Sequence, residues 1–257
     1  MSNPETLLLV ASFFVIAALY SSIGFGGGSS YLALLALFIP DFFEIKTTAL
    51  LCNITVVAGS SILYMREGYF KPKKFLPLVV CSMPAAFLGA TVNLKQDVFF
   101  GFLGAALVLS GLLLIGQYFL RSADTRRSFS QSLAFNAVAG TGVGFLSGVV
   151  GIGGGIFLSP ILNLLRWDNA KVIAALASFF ILVNSASGLL GQVYSGTFKV
   201  DFSLLALLLI AVFVGGQLGS RWSLQKVKPE VIKTLTGCLV CYVGLRLVLS
   251  YTFGISI

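Results

Sequence analysis

The chain has 257 residues, 57% of them apolar and only 10% charged, with a mean hydropathy of +0.98. That is far from the composition of a soluble or a disordered domain. The net charge of +8 comes from basic residues lying in short stretches between apolar runs, where membrane topology places them, so nucleic acid is not an expected partner.

At about 20 residues per spanning helix, this length accommodates roughly eight to ten membrane segments and no extramembrane enzyme domain. Apolar runs fall at residues 7–39, 47–65, 75–93, 98–120, 132–165, 172–193, 203–220 and 231–253. The start, Met1 to Thr6, carries Glu5 and no basic residue, so the first run is expected to be mature protein and not a cleaved leader. His is absent, which excludes His metal sites, Ser-His and Cys-His catalytic pairs and His proton relays. Cys52, Cys81, Cys238 and Cys241 all lie inside apolar runs, so no disulfide framework is expected. The spacing of Cys238 and Cys241 reads as packing, since further metal ligands are lacking.

Runs one to four resemble runs five to eight in length. Gly24, Gly26, Gly27 and Gly28 in the first run superpose on Gly151, Gly153, Gly154 and Gly155 in the fifth. The chain therefore reads as an internal repeat, residues 1–127 and 128–257. Runs one and five are too long for one straight crossing: about 33 residues of helix would measure ~50 Å against a hydrocarbon core of ~30 Å. Glycine permits a sharp reversal, so each run is expected to fold back as a glycine-tipped hairpin.

Loop charges favour that reading over single tilted spans. With two hairpins, the Lys and Arg between residues 66 and 74, 121 and 127, 166 and 171, and 221 and 233 share one side, and only Lys46, Lys95 and Lys199 share the other. With single spans the division is even. The positive-inside rule then puts the richer side in the cytoplasm and both termini outside. The charges establish return and leave open whether the arms cross fully or stop at the midplane. A hairpin plus three crossings is an odd unit, so the second repeat must be inverted. The expected fold is an all-α polytopic membrane protein of two inverted repeats, with the glycine tips meeting between them.

Irregular backbone inside a membrane must be buried in protein or line a polar cavity. Helices resuming at Ser29 and Ile156 would present free N–H groups and a positive dipole end, which suit an anion. Ser29, Asn53 and Asn184 are the candidate polar partners of the glycines. Tight helix packing is the competing role of the glycines, and interhelical hydrogen bonding that of the polar residues. Arg246, in the last run, fits either an anion attractant or a snorkelling side chain. All nine acids fall in loops or at run ends, which disfavours carboxylate proton coupling.

The segment Gly151-Ile152-Gly153-Gly154-Gly155-Ile156-Phe157-Leu158-Ser159-Pro160 resembles the hairpin signature of the sulfite exporter TauE/SafE family. In size, repeat, glycine clusters and following helix the resemblance spans essentially the whole chain. It departs at Ala33, where the second copy has Pro160. The resemblance implies transport of sulfite, a sulfonate or a related small anion across a bacterial-type inner membrane. No cofactor, metal or catalytic residue is expected, the lipid bilayer is the other partner, and a homodimer stays open. A non-transporting scaffold is the alternative.

Overall fold

The computed structural model describes residues 3–92, 94–119, 133–165, 167–225 and 229–252. They form ten helices: α1 Asn3–Ser21, α2 Gly28–Leu35, α3 Phe42–Arg66, α4 Pro72–Ala90, α5 Gln96–Phe119, α6 Leu133–Val150, α7 Gly155–Leu164, α8 Ala170–Tyr194, α9 Phe202–Gln225 and α10 Pro229–Thr252. No strand occurs among the described residues. Helices α1, α3, α4, α8 and α9 are long and apolar enough to cross a bilayer, and α5, α6 and α10 carry the shorter apolar stretches 98–113, 134–150 and 240–251.

Local chemistry sets the helix starts. Asp41 accepts from Phe43 N–H at 2.9 Å and Asn169 from Val172 N–H at 2.9 Å, so each half opens its long central helix with a side-chain cap. Pro72 occupies the first turn of α4, where its missing N–H costs nothing.

Small residues set the packing. Along α6, Gly140, Gly144 and Gly148 lie against the backbone carbonyls of Leu78, Ser82 and Ala86 in α4, so the two helices run parallel at close range. Gly215 and Gly219 of α9 lie in the same way on Phe14 and Ala18 of α1. This is the small-residue packing of membrane helices, which lets backbones approach where lipid offers no hydrophobic drive. Gly104 and Gly111 of α5 meet Gly244 and Cys241 of α10 in an antiparallel pair; Cys241 Sγ donates to Val108 O there, a packing role.

The contacts respect an exchange of halves. Replacing α1 to α5 by α6 to α10 turns α1–α9 into α6–α4, α3–α9 into α8–α4, and α2–α3 into α7–α8, and all of these pairs touch. The central helices α3 and α8 are antiparallel: Thr47 Oγ1 donates to Gln192 Oε1 at 2.7 Å near one end, and Lys171 Nζ to Tyr69 OH at 3.2 Å near the other. Charge is sorted between those ends. Lys71 and Lys74 both pair with Asp168, at 3.0 and 2.8 Å, beyond the C-terminus of α3; Lys199 pairs with Asp41 at 2.8 Å at its N-terminus. Across 25 residues these ends are ~37 Å apart.

One expectation is corrected. Lys46 is no loop cation: it lies in the second turn of α3 with only 4% of its surface exposed. The charge bias survives its removal from the poorer side.

Candidate functional site

The two glycine clusters are the places where the long runs break. Helix α1 ends at Ser21 and the helix resumes at Gly28; α6 ends at Val150 and the helix resumes at Gly155. Each resumption comes one residue earlier than the Ser29 and Ile156 expected from the sequence. The residues before them, Gly27 (φ +90°) and Gly154 (φ +80°), are left-handed N-caps, a conformation that costs an L-residue ~1–2 kcal/mol. Such caps have no side chain to offer, so the first amides of α2 and α7 lack an intrahelical acceptor.

Asn53 answers part of that need. About midway along α3 and fully buried, it accepts from Gly28 N–H through Oδ1 at 3.0 Å and donates from Nδ2 to Ile152 O at 3.0 Å. One amide thus ties the first break to the second, across the two halves. Gly26 and Gly28 lie directly on this side chain, where a Cβ would collide. Gly153 and Gly155 occupy the corresponding place over Ile181 in α8. When the caps Asp41 and Asn169 are aligned, Asn53 and Ile181 fall in the same register, so the halves match in backbone and differ in chemistry.

Other polar groups gather round the breaks. Ser178 Oγ donates to Gly24 O at 3.0 Å, and Tyr20 OH shares a hydrogen bond with Ser30 Oγ at 2.7 Å. Ser185 Oγ would lie 2.7 Å from a Cβ on Gly153, Ser147 packs against Gly154, and Tyr31 OH packs against Gly27; all three hydroxyls are buried without a hydrogen-bond partner. Ser29 is buried in the first turn of α2. Lys46 Nζ donates to Val149 O at 3.0 Å, and its stem lies under Gly151.

Of the residues picked from the sequence, the eight glycines, Ser29 and Asn53 therefore stand at the two breaks. Asn184 makes no hydrogen bond to either break: its Nδ2 donates to Phe180 O in its own helix, and its buried Oδ1 is unpaired. Sequence reasoning missed Lys46, Tyr20 and Ser147. The repeat could have exposed Lys46, since it takes the register of Ala174, an ordinary apolar position.

The space between the breaks is closed. A cavity of about 10 Å³ is lined by Tyr20, Gly26 to Gly28, Ser29, Ile152, Ile156 and Ile181 among others; it barely admits one water. A wider groove of about 390 Å³ lies between α2 and α10, with Ser30 and Arg246 among its lining. Another of about 500 Å³, lined by Thr55, Arg66, Gln217 and Arg221 among others, lies between α3 and α9. Thr55 is turned about 200° from Asn53 on α3, at ~100° per residue.

The sequence profile of the family described as Sulfite exporter TauE/SafE matches residues 8–247. "Probable membrane transporter protein y4hK" of Sinorhizobium fredii is 31% identical over 95% of this chain and 99% of its own length. "Probable membrane transporter protein YunE" of Bacillus subtilis is 24% identical over 96% and 99%. A protein named "Undecaprenyl-diphosphatase" from Christiangramia forsetii shares 27% identity over 65% of this chain and 63% of its own. No solved structure matches.

Proposed function

The chain belongs to the sulfite exporter TauE/SafE family and is a multi-pass membrane transporter, and we propose that its cargo is a small oxyanion, sulfite or a related organosulfur anion, exported across the cytoplasmic membrane between the two glycine breaks. The observation that carries this reading is the Asn53 bridge. A buried amide joins two helix breaks from different halves, about midway along the central helix, and unwound backbone at such a meeting point is where transporters hold charged cargo.

Inverted repeats are part of the same proposal. The exchange symmetry of the helix contacts and the antiparallel run of α3 against α8 support them. The end bearing Arg66, Lys71, Lys73, Lys74 and Lys171 is then cytoplasmic by the positive-inside rule, and both termini face outward. The first hairpin enters from outside and the second from the cytoplasm.

Mechanistically, the breaks offer what an oxyanion needs. The N-termini of α2 and α7, with their positive dipole ends, begin at the breaks, and Ser29 and Ile156 of their first turns line the gap. Ser185, Ser147 and Tyr31 hold hydroxyls with unspent hydrogen-bonding capacity. Asn53 Nδ2 can turn from Ile152 O to an anion oxygen once the breaks part and water reaches the Ile152 carbonyl, since a carbonyl left buried without a donor would cost ~1–3 kcal/mol. The 10 Å³ gap cannot hold sulfite, so loading requires the breaks to part, and opening them alternately toward either face is alternating access about a fixed site.

The test is flux of radiolabelled sulfite, sulfoacetate, thiosulfate and sulfate in vesicles containing the purified protein. We expect sulfite or an organosulfur anion to move in a saturable way. If none moves, the cargo assignment is wrong.

A further inference from the structure

Lys46 is a cation sealed inside the protein, without a counter-ion among the described residues. Its surface is 4% exposed, and its one hydrogen bond goes to a neutral acceptor, Val149 O, at 3.0 Å. The Phe99 ring lies 6.0 Å from the ammonium. None of the described acids at that end of α3 pairs with it: Asp41 pairs with Lys199, Asp201 accepts from its own following turn, and the Glu44 carboxyl lies by Asp41, Asp201 and Lys199. A buried charge is normally paired, because removing it from water costs several kcal/mol, and an ionisable residue within a membrane helix marks a functional path by default.

Its position adds to its chemistry. Lys46 and Asn53 are seven residues apart, almost two whole turns, so they share one face of α3 about 10 Å apart along its axis. The same face meets the second break twice, at Gly151 over Lys46 and at Ile152 bonded to Asn53. In the other half the register of Lys46 is held by Ala174, whose carbonyl lies against Gly24. The fold at this contact therefore does not require a lysine. Capping the C-terminus of α6 explains where the ammonium rests but not why a full charge stands there.

We propose that Lys46 is the binding-site countercharge for the transported oxyanion, on the Asp41–Lys199 side of the Asn53 bridge, with its ammonium passing from Val149 O to the anion as the second break opens. This rests on the anion-transport reading and adds to it a specific charge and a station on the path. A doubly or singly charged oxyanion fits the station, and a neutral or cationic solute does not.

The experiment measures the concentration dependence of radiolabelled sulfite flux in vesicles for the unaltered protein and for Lys46→Gln, Lys46→Met and Lys46→Arg. Gln can still donate to Val149 O, so a pure cap survives that change and a countercharge does not. We expect Lys46→Gln and Lys46→Met to raise KM about tenfold or more, as loss of a charged hydrogen bond does. Lys46→Arg should stay within about threefold. Lys46→Gln should keep an unfolding temperature near that of the unaltered protein. A Lys46→Gln protein with unchanged KM overturns the inference and leaves the transport reading intact. Failure of both neutral variants to fold also overturns it, by making Lys46 structural. An unaltered protein that moves no sulfite overturns both.

Discussion

At the residue scale, Asn53 has two separable duties. It satisfies Gly28 N–H and Ile152 O, and it keeps the meeting point of the breaks neutral. Asn53→Leu strips both hydrogen bonds and strands two buried backbone groups, at ~1–3 kcal/mol each. We expect a fall of several degrees in the unfolding temperature in detergent together with lost flux. Asn53→Asp keeps an acceptor for Gly28 and, as the protonated acid that burial enforces, a donor for Ile152 O, so it should lose less stability than Asn53→Leu while still cutting flux. Equal destabilisation by the two changes would mean that the amide is only a strut. The sequence exposed Asn53 because a fully buried amide in an apolar run must find polar partners. The same reasoning pointed to Asn184, whose Nδ2 donates to Phe180 O in its own helix and whose Oδ1 is left without a partner. Spacing along a helix says which face a residue occupies, but not whether it bonds its own turn or a neighbour. Lys46 escaped notice for the opposite reason: following Asp41 and Glu44, it reads as one more charge at a run end. Only the distant α6, more than a hundred residues on, buries it.

At the element scale, glycines do different work on different faces of one helix. A Cβ on Gly144 would lie 2.5 Å from Ser82 O, whereas one on Gly142 meets nothing within 4 Å. Gly144→Leu should push α4 and α6 apart, at ~1–3 kcal/mol for overpacking. Gly142→Ala should leave the pair intact and stabilise α6 by ~0.5–1 kcal/mol. Thermal unfolding of the two variants separates the cases. The breaks themselves were legible because GxGGG recurs in two runs too long for the bilayer, while the pairing of α4 with α6 was not, since α4 carries no glycine stripe of matching period to announce its partner.

The α7–α8 connection carries the clearest pH dependence. Burial alone would raise the Asp168 carboxyl, but hydrogen bonds from Lys74, from Asn169 N–H and from Lys71 outweigh it and hold it below its ordinary 3.8. A lowered carboxylate contributes stability that is complete above its unfolded value and is lost as pH falls through the native one. We expect the unfolding temperature to hold down to about pH 5 and to drop below about pH 4, with Asp168→Asn removing part of that acid-side loss.

At the scale of the whole molecule, parity decides the topology. In a background with the native cysteines replaced, Asp201→Cys should react with an impermeant maleimide in intact cells, and Lys73→Cys only after permeabilisation. Single tilted spans in place of the two hairpins would put both positions on one side. Run lengths and loop charges are what led from the sequence to the proposed inverted repeat, because the positive-inside bias is a property of the entire chain. The closed gap between the breaks could not, since it depends on how Ile152, Ile156 and Ile181 interdigitate with the first cluster.

The most direct measurement is sulfite flux in vesicles for Gly27→Val and Gly154→Val beside the Gly142→Ala control. Both caps are left-handed, and both crowd a ring, Tyr31 or Phe180, that a side chain would meet. We expect both cap variants to insert and purify as folded protein, because the local strain is ~1–3 kcal/mol, yet to move no sulfite, while the control moves it normally. Flux through folded Gly27→Val and Gly154→Val at the unaltered rate would contradict an anion path between the two breaks.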